Sequence, residues 1–123
     1  MDRTFLFVGA ILGFVGVALG AFGAHGLRSR LSPEMLAVFE TAVRYQMYHT
    51  FAILTVAAAI GHLGTARVLV IAGWCFFAGV VLFSGSLYAL TLTGVGTLGA
   101  ITPLGGVLLL IGWALLIFFA AAR

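Results

Sequence analysis

Charge is what this chain has least of. Only 7% of its 123 residues are Asp, Glu, Lys or Arg, against 63% hydrophobic, whereas a water-soluble domain draws on about 25% charged residues. A soluble globule is therefore excluded, and the expected solvent is the lipid bilayer. The net charge of +3 comes from scattered arginines. With no basic run, zinc-ligand spacing or basic helical face, nucleic acid is not an expected partner, nor is a metal. Cys75 is the single cysteine, which excludes an internal disulfide. Set in an apolar run, it reads as a small buried hydrophobe.

What is present is a series of apolar runs. Phe5 to Ala24 carries no charge, and twenty residues at 1.5 Å each match a hydrocarbon core about 30 Å thick. Its eleven Phe, Leu, Val and Ile residues favour insertion by about 3 to 7 kcal/mol before the glycines subtract. A cleaved signal peptide is the rival reading, but the run is too long and Phe22 spoils a small-residue cleavage site. Gly9, Gly13, Gly16, Gly20 and Gly23 alternate steps of four and three. They lie on one helical seam, a smooth stripe on which another helix can approach closely.

Gly26 ends this first helix, and Arg28 and Arg30 follow on the aqueous side. Ser32 before Pro33 signals a new helix: the hydroxyl can cap free amides, and proline needs no donor at the first position. Apolar residues at helical spacing predict an amphipathic interfacial helix over 33–44, leading without a breaker into a second span over 42–62. At that junction lies the polar, aromatic stretch Glu40 to His49. Glu40 and Arg44 are four apart in the favourable order, Tyr45 and Tyr48 suit the interface, and His49 lies 7 to 8 Å deeper than Arg44 at 1.5 Å per residue. His49 reads either as a neutral imidazole bonded within a bundle or as a relay or ligand. His62 reads as solvated at the far boundary.

Third and fourth spans are expected at 68–88 and 103–121. Ser84 and Ser86 lie near the end of the third, where hydroxyls commonly bond their own or a neighbouring backbone. Residues 90–101 are expected to form an interfacial or re-entrant loop. Thr102 and Pro103 repeat the cap-then-proline signal, and Arg123 closes the chain at the interface. The fold class is thus all-α: one domain, 1–123, with four transmembrane helices in an antiparallel bundle. Four crossings put both termini on one face (A) and the loops after spans one and three on the other (B). His25, Glu40, Arg44, Tyr45, Gln46, Tyr48, His49, Ser84, Ser86, Tyr88 and Thr102 gather at or near face B, as a site or as a network fixing helix register. Arginines tie at three per face; the terminal amine alone puts the termini on the cytoplasmic side.

Four blocks carry a family resemblance: Gly20-Ala-Phe-Gly-Ala-His-Gly-Leu27, Thr41-Ala-Val-Arg-Tyr-Gln-Met-Tyr-His49, Phe83-Ser-Gly-Ser-Leu-Tyr88 and Ile101-Thr-Pro-Leu-Gly-Gly106. In this order they resemble the small membrane-protein family called domain of unknown function 423. The resemblance implies a four-helix integral protein of bacterial plasma membranes, with relatives in eukaryotic organelles, and brings no activity with it. The expected role is structural or accessory, as a homo-oligomer or part of a membrane-protein complex, non-enzymatic and without cofactor. Transport of a proton, ion or small solute through the polar site is the alternative. Redox chemistry, with His25 and His49 as axial haem ligands or as partners of a quinone, is a weaker one.

Overall fold

The computed structural model describes residues 2–122. The interfacial position expected of Arg123 lies outside them. The described residues form four α-helices and no strand: α1 (Arg3–His25), α2 (Pro33–Leu63), α3 (Arg67–Thr93) and α4 (Thr102–Ala121), with a short 3-10 turn, Gly96–Ala100, before α4.

Local chemistry sets the boundaries. Asp2 accepts the Phe5 amide at 3.0 Å and caps α1, and the Gly26 amide closes its end on the Phe22 carbonyl. Ser32 Oγ accepts the Met35 amide at 3.2 Å, with Pro33 in the first turn of α2. α2 then runs unbroken for 31 residues, about 46 Å at 1.5 Å per residue. The expected interfacial helix and second span are therefore one element. Its end at Gly64 has φ 91°, and α3 ends at Gly94 with φ 75°, a conformation that costs glycine nothing. α3 reaches Thr93, five residues past the expected limit of 88. Thr102 does not cap α4: that helix starts without a side-chain cap, and the Thr102 hydroxyl is joined instead to Ser86 on α3.

Packing follows from small residues. A Cβ added to α1 would meet Leu54 at Gly9, Thr50 at Gly13, Met47 at Gly16, Val43 at Gly20 and Phe39 at Gly23. The partners descend as the glycines ascend, so α1 lies antiparallel on α2 with its glycine seam against it. α4 lies on α3 in the same way. A Cβ on Gly105 would run into the Phe83 backbone, and one on Gly112 into the Phe76 ring. α2 also packs on α3, so α2 and α3 are the inner pair. The core comprises Phe5 of α1, Ala52, Ile53, Val56, Ala57 and Ile60 of α2, Leu69, Ala72, Phe76 and Val80 of α3, and Leu109 of α4.

The outer faces are apolar too. Phe14 is 78% exposed, and Leu110 and Ile117 are each 70% exposed, an arrangement stable only where the solvent is hydrocarbon. Three segments are long and apolar enough to cross a membrane: Arg3–His25, Arg67–Thr93 and Gly96–Ala121. α2, which carries Glu34, Glu40 and Arg44, supplies much of the buried centre instead.

Candidate functional site

The polar residues of α2 face its neighbours and tie the helices together. Gln46, 2% exposed, donates from Nε2 to the Leu12 carbonyl of α1 at 2.7 Å and accepts at Oε1 from the Tyr88 hydroxyl of α3 at 2.6 Å. One amide thus joins three helices. Ser84 Oγ donates across to the Ala42 carbonyl of α2 at 2.7 Å. Ser86 Oγ donates to the Phe83 carbonyl at 2.9 Å. Its single proton being spent, it accepts from Thr102 Oγ1 at 2.6 Å, linking α3 to α4.

His49 is held from both sides. Its Nδ1 lies 2.7 Å from the Tyr45 carbonyl, and its Nε2 lies 3.0 Å from Trp113 Nε1 of α4. A carbonyl only accepts and an indole N–H only donates, so the two contacts together require the neutral Nδ1–H tautomer. The ring also packs against Phe76, with centroids 5.7 Å apart.

Several expected site residues lie apart from this seam. His25, at the last turn of α1, is exposed, as are Glu40, Arg44, Tyr45 and Tyr48. Glu40 and Arg44 line a groove of about 270 Å³ beside Gly20 and Gly23. Tyr45 stacks on Phe83 with centroids 4.6 Å apart. His49 is deeper than the face B rim: its neighbour Thr50 faces Gly13, halfway along α1. His25 is twelve residues further along α1, about 18 Å at 1.5 Å per residue. The two histidines therefore do not converge as a ligand pair. Among the described residues no group of three His, Cys, Asp or Glu side chains is placed to hold a metal ion.

Trp113 is the seam residue that sequence reasoning missed. A tryptophan in mid-span, away from the interfacial belts where it is usual, carries an N–H that needs a partner; that was the available signal. Chemically the seam is closed, since no buried side-chain nitrogen or oxygen among the described residues lacks a hydrogen-bond partner. The hydroxyls of Ser84 and Ser86 donate to main-chain carbonyls and neither is paired with the His49 imidazole. Against the seam's outer flank, Tyr45, His49, Phe83, Pro103, Gly106, Val107, Leu109, Leu110 and Trp113 line a second groove of about 440 Å³ between α2, α3 and α4.

Apolar outer faces, membrane-length helices and a seam of paired polar groups between them define an integral membrane protein. A family model described as "Protein of unknown function (DUF423)" matches residues 19–106, and the chain belongs to that family. It is 46% identical over 118 residues to the UPF0382 membrane protein YwdK of Bacillus subtilis (strain 168), covering 96% of each chain. It is 48% identical over 115 residues to a UPF0382 membrane protein of Staphylococcus aureus (strain bovine RF122 / ET3-1), covering 94% of this chain and 93% of that one. A Staphylococcus epidermidis (strain ATCC 12228 / FDA PCI 1200) relative is 47% identical, with the same coverage. No solved structure matches.

Proposed function

We propose that α2 crosses the bilayer with the other three helices, and that the protein acts laterally within the membrane as a structural or accessory bundle. The closed polar seam carries this reading. Gln46, His49, Ser84, Ser86, Tyr88 and Thr102 hydrogen-bond to one another, to Trp113 and to main-chain carbonyls, which ties the helices in one register and leaves none of these side chains unpartnered. Movement of an ion would need polar atoms free to exchange partners along a path. The links between helices are short: Gly26 to Ser32 joins α1 to α2, Gly64 to Ala66 joins α2 to α3, and the eight residues 94–101, with their 3-10 turn, join α3 to α4. These links offer little to a soluble ligand, so the surface on which the protein acts is its lipid-facing one.

Extraction in mild detergent tests the proposal. The expected result is recovery of a stoichiometric membrane-protein partner or a defined oligomer. A clean monomer with no partner counts against it. A reconstituted ion flux that is abolished by Gln46→Leu would overturn it in favour of transport.

A further inference from the structure

The second groove has a shape and position that select one occupant. Phe83, the His49–Trp113 pair, Tyr45 and the side-chain-free Gly106 line it together with Leu110, whose 70% exposure marks the outer side. On α4 it runs from Pro103 to Trp113, ten residues or about 15 Å at 1.5 Å per residue. That is half of a hydrocarbon core about 30 Å thick. Pro103, in the first turn of α4, marks the end near the membrane surface. The deep end lies near mid-height, because the adjoining Gly112 faces Phe76 on α3.

The walls ask for hydrocarbon. His49 uses both nitrogens on Tyr45 and Trp113, and Trp113 spends its one N–H on His49, so the deep end offers no free polar atom to a quinone ring or other buried head group. Nor does the groove suit a protein partner, since nine residues line it and a standard protein interface takes about 20 to 30 a side.

We propose that this groove seats one acyl chain of a membrane phospholipid from the leaflet at the face B end, its head group near Tyr45 and Pro103 and its chain end against Trp113. The inference rests on the reading above that α2 lies within the bilayer, because Tyr45 and His49 form one wall. Gly106→Leu is the natural probe. A Cβ there meets only a Phe83 ring carbon at 3.9 Å, ordinary van der Waals contact, and Gly106 lines the groove, so a leucine side chain at this position narrows it. Val107→Phe, at a position 54% exposed, narrows the same groove from its outer lip and serves if Gly106→Leu fails to fold.

The experiment is native mass spectrometry of the full chain, released from nanodiscs of mixed phosphatidylethanolamine and phosphatidylglycerol. A stoichiometric phospholipid adduct on the wild type, lost in Gly106→Leu or Val107→Phe, is the expected result. Equal adducts on wild type and variants, no adduct on the wild type, or an isoprenoid or second copy in place of phospholipid would each overturn it. Labelling of Thr55→Cys in a Cys75→Ala background by a membrane-impermeant maleimide separates the premise: a labelled Thr55→Cys removes α2 from the bilayer, whereas a protected one with no adduct removes only the lipid site.

Discussion

Glycine does two different things in this chain, and substitution should separate them. At Gly16 a Cβ would press on Met47 Sδ and stand 3.3 Å from the Gln46 amide nitrogen, whereas at Gly85, inside α3, it meets nothing within 4 Å. Gly16→Leu is expected to lower stability by about 1 to 3 kcal/mol through overpacking. Gly85→Ala is expected to raise it by about 0.5 to 1 kcal/mol, because it removes backbone freedom from the unfolded chain at no steric cost. Unfolding in mixed detergent micelles measures both, and equal effects at the two positions would show that the seam does not discriminate. The Gln46–Tyr88 bond is a second residue-scale case. A cycle of Gln46→Leu and Tyr88→Phe should return a coupling of about 0.6 to 1.7 kcal/mol, the range for side-chain bonds between membrane helices. Zero coupling would mean the 2.6 Å contact contributes nothing to stability. The sequence marks Gln46, His49, Ser84 and Tyr88 as polar groups needing partners. It does not mark the partners, because three of them are main-chain carbonyls, of Leu12, Tyr45 and Ala42, which no pattern of side chains distinguishes.

Among the elements, α1 was the most legible, observed at Arg3–His25 against an expected 5–24, since its run is apolar throughout and its caps are local. α2 was legible as a helix and, for want of a breaker between its halves, as one piece; what the sequence does not mark is where along it the environment changes. An amphipathic start and an apolar continuation read as two environments, yet main-chain hydrogen bonding passes through a membrane boundary without interruption, and only a proline or a glycine pair would have marked a joint there. Thr102 was misread because a threonine before proline predicts a cap; a hydroxyl within reach of Ser86 on another helix competes for the same bond, and the spacing of residues within α4 carries no trace of it. The position of α2 relative to the bilayer has a direct test. In a Cys75→Ala background, Ala37→Cys, exposed in the second turn, should react with a membrane-impermeant maleimide. Thr55→Cys, also exposed but about two-thirds of the way through the span expected at 42–62 and next to Leu54, which faces Gly9, should be protected until detergent is added. Equal reactivity before detergent would place the whole of α2 in water.

For the whole molecule, the helices and the closed seam leave orientation as the least determined property, and the charges say why. Four crossings would set Arg3, Arg67 and Arg123, counted along the sequence, against Arg28, Arg30 and Arg44. Positive residues flanking the spans set orientation by their difference across the bilayer, and here the difference is zero. A small change should therefore have a large effect. Replacing Arg28 and Arg30 with Gln is expected to hold the termini firmly on the cytoplasmic side, and replacing Arg3 and Arg67 with Gln to turn them outward. Neither pair lies in the seam or the core, so stability in detergent should hardly move. Reporters on the two termini read the outcome. Four crossings require both reporters to report the same side as each other in the wild type and in each variant. If they fall on opposite sides in any of the three proteins, the chain crosses an odd number of times, α2 is the helix that fails to span, and the lateral groove loses the wall that Tyr45 and His49 provide.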